Sequence, residues 1–245
     1  MPLLKNKEMN YRNLFPLITN LGLEKLLPGR SLVNVYFHGV AREQSKKNTS
    51  IENLKRYFKY FKDNFDVVDI YTALDIWREG RKLKRKTISI SFDDGYRNLN
   101  FAMLTIDRYQ LPVTIFLTAG GLFTPYHMEG ERLASHFHLK NWAKNPLITI
   151  GSHSVSHPDL TRISRNEAIY EMTASRYIIQ SVIKKPVDVF CFPFGSVPDY
   201  LVSDYPHYVG CKPQPGVLPR QMCISNTTTV ESNLIRLQSK FINGI

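Results

Sequence analysis

Six short runs of strand-forming residues recur along this chain, most of them followed by segments of helical spacing, and that alternation limits the fold more than any other feature. The runs are SLVNVYF (31–37), DVVDIYT (66–72), KTISISF (86–92), VTIFLT (113–118), LITIG (147–151) and VDVFCF (187–192). They are rich in β-branched and aromatic residues and nearly continuously apolar, as strands covered on both faces must be. Between them, Ile51, Leu54, Phe58, Phe61 and Phe65 repeat at helical spacing, with Thr49 and Glu52 predicting a capping box. A second helix is expected from Tyr96 to Tyr109, stopped by Pro112. A third opens on a Ser164–Glu167 capping box and carries the stripe Ala168, Met172, Ser175, Ile179, Val182. Strands alternating with helices predict an α/β domain with a mainly parallel sheet or barrel, whose chemistry gathers at the strands' C-terminal ends.

Three strand ends carry unusual polar chemistry. KTISISF runs into Asp93, Asp94 and Gly95; LITI runs into GSHSVSH, with His153 and His157; VDVFC runs into FPFG, with Pro193 and Phe194. Neighbouring carboxylates repel, and adjacent side chains of an extended segment point to opposite sides. A cation relieves that repulsion. One aspartate with two histidines four apart suits a three-ligand site for zinc or a similar divalent ion, leaving a position open for water. The other aspartate would then lie where it could take a proton from that water.

The stretches ISFDDGY, GSHSVSHPDL and CFPFG resemble the first three motifs of the polysaccharide deacetylase family, the NodB-homology domain of carbohydrate esterase family four. The resemblance runs from about Ser31 to the C-terminus. It implies a distorted (β/α) barrel of about seven strands and a metal-dependent hydrolase that removes an N-acyl group, most often acetyl, from an amino sugar or glycan. By motif, Asp93 resembles the general base, and Asp94, His153 and His157 the metal ligands. Phe194, after Pro193, stands at the aromatic position whose backbone N–H helps hold the oxyanion, and Tyr96 belongs to the same substrate-binding set. The implied cofactor is a divalent metal, zinc with cobalt or nickel as alternatives.

Two departures from the family pattern stand out. Where many members carry a third-motif arginine that tethers the base, this chain has Cys191, and the late Leu-x-His motif that supplies the general acid is absent. A circularly permuted subgroup of exopolysaccharide deacetylases places the acid histidine upstream, and VYFHGV, with His38, is similar to that motif. Two alternatives stay open: a non-catalytic carbohydrate-binding member of the fold, and a deformylase or deacylase of a lipid-linked sugar at the membrane face.

Composition narrows the rest. At 245 residues the chain can form one domain, taken as 31–245, with 1–30 as an N-terminal extension packing on the barrel. The first residues lack the basic segment, apolar stretch and small-residue cleavage site of a signal peptide, so a cytoplasmic location is expected, with peripheral contact at the inner membrane as a variant. No apolar run approaches the roughly 18 residues of a membrane span. Cys191, Cys211 and Cys223 are odd in number and form no CxxC, which argues against a disulfide framework or zinc ribbon and reads as buried structural thiols. The net charge is +11, densest at Arg78, Arg81, Lys82, Lys84, Arg85 and Lys86. A solvated turn explains that run, and no nucleic-acid-binding signature accompanies it. His127, His136 and His138 fall in an irregular stretch (119–146) and are expected to be exposed, while Trp142 is expected to pack.

Overall fold

In the computed structural model, residues 32–200, 205–211, 214–224 and 226–242 are described; the expected packing of residues 1–30 lies outside them. The chain runs β1 (Leu32–Phe37), β2 (Gly39–Ala41), β3 (Asn48–Ser50), α1 (Ile51–Asn64), β4 (Asp66–Val68), α2 (Ile70–Arg78) and β5 (Thr87–Phe92). It continues through a 3-10 turn (Arg97–Ala102), α3 (Met103–Tyr109), β6 (Val113–Leu117), β7 (His127–Met128), β8 (Glu131–Arg132), α4 (His136–Trp142) and β9 (Ile148–Ser152). Then follow α5 (Arg165–Ile183), β10 (Val189–Cys191), a 3-10 turn (Pro193–Gly195), β11 (His207–Gly210), β12 (Val217–Pro219), β13 (Met222–Cys223) and α6 (Val230–Ile242).

The main sheet has the order β12-β11-β10-β9-β6-β5-β1-β13, with β4 also on β5, and each of its pairings is parallel. Seven of these strands, β1, β5, β6 and β9 to β12, form the nearly closed barrel of the NodB type. The distortion has a visible cause at β5. Its first half pairs with β4 (Thr87 to Ser89) and its second with β6 (Ser91, Phe92) on the side away from β1. The opening between β12 and β1 is stitched by Asn34. Its Nδ2 donates to the Pro219 carbonyl at 2.8 Å and its backbone N–H to Gln221 Oε1 at 2.7 Å.

All six residues of β5 are buried, which accounts for its unbroken apolar and small composition. Phe92 stacks on Phe37 of β1 at 5.3 Å between centroids, and α1 buries Leu54, Tyr57, Phe58 and Phe61. Each such side chain contributes about 1.5–3 kcal/mol, so this cluster is a large part of what fixes the barrel. The helix at 164–183 forms as expected, its Ser164–Glu167 box intact and its stripe buried. The sequence 78–86 is a largely exposed connection.

Several expectations are corrected. The first helix is capped by Ser50, whose hydroxyl accepts from the Asn53 N–H, and not by a Thr49–Glu52 box; Thr49 is buried and its hydroxyl donates to Asn226. The run 66–72 is strand only to Val68: Asp69 accepts the N–H groups of Tyr71 and Thr72 and starts α2. The segment after Tyr96 begins as a 3-10 turn before α3. Residues 119–146 hold a β7–β8 hairpin and α4, which carries His136 and His138. Among the described residues, no helix is long and apolar enough to cross a membrane.

Candidate active site

A cleft at the C-terminal end of the barrel collects Tyr36, His38, Asp93, Asp94, His153, His157, Phe194, Cys211 and Arg220. Each follows or ends a parallel strand, as this architecture requires. The doubled acid is resolved by backbone geometry. Asp93 continues the ladder, its N–H donating to the Phe37 carbonyl at 2.9 Å, whereas Asp94 turns left-handed at φ 69°. That turn brings both carboxylates into one cleft instead of to opposite sides. Gly95 must follow, because at φ 71° a Cβ would stand 2.7 Å from the Leu117 side chain.

The histidine loop is also shaped by local bonds. Ser154 sits at φ 69° and its Oγ accepts the His157 N–H at 2.9 Å, while His157 itself is left-handed at φ 63°. Glu171 of α5, buried beneath, accepts from the N–H groups of Val155 and Ser156, both at 2.8 Å, and from the Ser156 hydroxyl at 2.6 Å. The loop so folded faces His153 Nε2 to His157 Nε2 at 3.2 Å, and Asp94 Oδ1 lies 3.3 Å from His157 Nε2 and 3.7 Å from His153 Nε2. Around a tetrahedral ion with bonds of about 2.1 Å, ligand edges are about 3.4 Å, so the three atoms fit one small divalent cation.

Protonation agrees with that fit. His153 Nδ1 lies 2.7 Å from the Cys191 carbonyl. A carbonyl only accepts, so Nδ1 carries the proton and the Nε2 lone pair turns toward Asp94 and His157, the arrangement of a metal-ligating imidazole. Burial pushes the pKa of His153 down to about 4, opposed by Asp93 and helped by His157. Burial alone would raise Asp94, but the contact with His157 and the neighbouring histidine charges hold it well below the carboxylate range.

The other half of the cleft holds what sequence reasoning missed. Asp93 is paired through Oδ2 with Arg220, 127 residues away, and both side chains are buried. Arg220 leaves the end of β12, its N–H donating to the Gly210 carbonyl at 2.7 Å and its guanidinium lying 4.0 Å from the Tyr36 ring centroid. Burial works against its charge, but Asp93 holds its pKa far up. Cys191 occupies the third-motif position without doing the tethering: it is fully buried, near Asp93 and His153, and burial pushes its thiol up. The arginine that holds Asp93 comes instead from the end of a three-residue strand, VLP, a strand too short to show in the sequence pattern. Asp93 Oδ1 is buried with no hydrogen-bond partner among the described residues.

The remaining predicted residues fall in different places. His38 lines the cleft, edge-on to Tyr36 at 6.0 Å. Phe194 is 62% exposed, left-handed at φ 57°, and meets His157 edge-on at 4.8 Å, while Pro193 is buried beneath it. Tyr96 does not line the cleft; it is wholly buried against Met128 and Leu133, because the 3-10 turn that follows Gly95 carries it under the β7–β8 hairpin. His127, His136 and His138 also lie outside the cleft, and His138 is only half-exposed. Trp142 packs, buried, with its N–H donating to Asn100 Oδ1 at 2.8 Å. The three cysteines are free thiols, and Cys211 and Cys223 are only partly buried, with Cys211 on the cleft wall. Lys47 and Glu129, paired with one another, complete the rim.

Comparison with known proteins agrees with this geometry. The polysaccharide deacetylase family model matches residues 80–208. YxkH of Bacillus subtilis (strain 168), whose name assigns it to the polysaccharide deacetylases, is 22% identical over 161 residues. That match covers 65% of this chain and 55% of YxkH, so the chain spans little more than half of that relative's length. Among solved structures, IcaB from Ammonifex degensii superposes with a TM-score of 0.71 at 17% identity, over 87% of this chain and 98% of that one. The Streptococcus pyogenes deacetylase PplD, solved with acetate, gives 0.70 at 15% identity, over 85% and 98%. With its motifs gathered on a barrel of the matching type and the family model spanning more than half its length, the chain belongs to the polysaccharide deacetylase family.

Proposed function

We propose that the cleft hydrolyses an N-acyl group, N-acetyl first among candidates, from an amino sugar or glycan, with a divalent ion, zinc for preference, held by Asp94, His153 and His157. The observation that carries this reading is the state of Asp93: one oxygen is clamped by Arg220 and the other is buried in the cleft wall with no partner among the described residues. An orphaned carboxylate oxygen beside three convergent ligand atoms suits a group that must accept a proton from water. When bound, the ion supplies Lewis-acid polarisation of the acyl carbonyl and lowers the pKa of the water.

The chain's own residues do the rest. Asp93 takes the water's proton at Oδ1 while Arg220 keeps the carboxylate oriented. Phe194 follows Pro193 in a tight left-handed turn at φ 57°, beside His157 at the cleft, and its backbone N–H is the donor assigned to the oxyanion. His38, leaving β1 on the cleft wall, donates the proton without which the amine could not depart. The sum is amide plus water giving carboxylate plus amine.

The test is acetate release from acetylated chitooligosaccharides, before and after chelation and on return of zinc or cobalt. Asp93→Asn is expected to abolish turnover while metal content stays normal. Full activity in that variant would remove Asp93 from the role, and no release by the metal-loaded parent from any acylated sugar would favour a binding-only member of the fold.

A further inference from the structure

A second concavity, of about 160 Å³, lies one hairpin away from the cleft and is lined by Arg97, Phe123, Arg132, His136 and His138 among others. Arg97 follows Asp94 by three residues, and Arg132 sits on β8 of the same hairpin that sends Glu129 to the cleft rim. The bridge between Tyr96 and Leu133 joins these two segments.

Two features of the concavity point to a ligand. Its two arginines are exposed and neither has an acidic partner among the described residues, which leaves two cationic groups on one concave wall. Beside them, Phe123 is 68% exposed, with its ring nearly parallel to that of His136 (17° between planes, 6.1 Å between centroids). The positive field is felt inside the wall: His138 is pulled below its ordinary pKa by burial first and then by the charges of Arg97 and Arg132.

We propose that this concavity binds a phosphorylated sugar, its phosphate on Arg97 and Arg132 and its ring against Phe123. A guanidinium presents planar pairs of N–H donors that match phosphate oxygens, and an aromatic face takes the C–H face of a sugar. The inference stands apart from the hydrolytic reading of the cleft, because its test reads binding alone.

Calorimetric titration of the chelated protein with N-acetylglucosamine phosphate is expected to show one site. The double variant Arg97→Gln, Arg132→Gln should weaken it roughly ten-fold or more, the loss of charge-assisted contacts, with the thermal melt checked to show that the fold is kept. Phe123→Ala should weaken the sugar phosphate more than inorganic phosphate. Unchanged affinity in the double variant overturns the proposal, as does equal binding of N-acetylglucosamine without phosphate. Capture on vesicles of equal parts phosphatidylglycerol and phosphatidylcholine, with no binding of the sugar phosphate, also overturns it and assigns a lipid headgroup instead.

Discussion

The two sides of the cleft are assembled in opposite ways. On the side of the proposed cation, Asp94, His153 and His157 come from two short segments at the ends of β5 and β9, and their positions are set by nearby backbone: left-handed residues at 94, 154 and 157 and a Ser154 bond three residues long. On the side of the proposed base, Asp93, His38 and Arg220 come from the ends of β5, β1 and β12, and the contact between Asp93 and Arg220 spans 127 residues. The first arrangement is a pair of preformed loops, strained locally and braced by Glu171. The second exists only once the barrel has nearly closed. A cluster of candidate ligands built from loops can form and be lost as a unit, whereas Asp93, held by a distant arginine, depends on the register of the whole sheet.

That contrast breaks most sharply at a ligand. His157→Ala should remove bound metal and lower turnover by about three orders of magnitude or more, measured by metal analysis beside acetate release; retained metal with full turnover would place the cation elsewhere. Arg220 is the corresponding probe of the other side. Arg220→Lys should keep the metal and lower turnover by about a hundred-fold, since a point charge replaces a planar fork. Arg220→Ala should in addition cost about 3–5 kcal/mol of stability, because Asp93 is left charged and buried without its partner. Metal loss in the lysine variant would show that the two sides are not separable.

A pH dependence of stability is expected on the side of the proposed cation as well. The pKa of His153 is depressed by burial from 6.5 to about 4. A group depressed on folding contributes stability that is whole above its unfolded pKa and is lost as pH falls through that value toward the folded one. Ion-free protein should therefore lose roughly 3 kcal/mol between about pH 6.5 and 4, read from urea unfolding in the presence of chelator. Asp94, also held low, continues the loss below its own unfolded pKa. A flat profile would mean that His153 is not a buried neutral imidazole.

Local patterns were legible where the cause was local. The capping box at Ser164 and Glu167 is a matter of four residues, and it formed as read. Six strand runs were visible because both faces of a parallel strand are covered, yet DVVDIYT misled: Asp69 finds two N–H donors in a new helix, and a side-chain cap outweighs strand propensity there. Thr49 and Ser50 compete for one cap, and the choice went to Ser50 because the Thr49 hydroxyl is engaged with Asn226, far along the chain. Tyr96 looked like part of a motif and is wholly buried, since exposure is decided by the hairpin folded over it. Glu171 was hidden within a buried stripe, where a charged residue signals a bond to a neighbouring loop.

What the chain determines by itself is the set of strand ends and their chemistry: two acids, a histidine pair and a Pro-Phe-Gly turn, each fixed by neighbours within a few residues. What only the tertiary structure decided is the partner of Asp93. Arg220 reaches Asp93 because β12 and β1 come together where the barrel nearly closes, through the Asn34 bonds to Pro219 and Gln221. No local spacing encodes that contact; it follows from strand order, and strand order is settled by packing across the whole sheet.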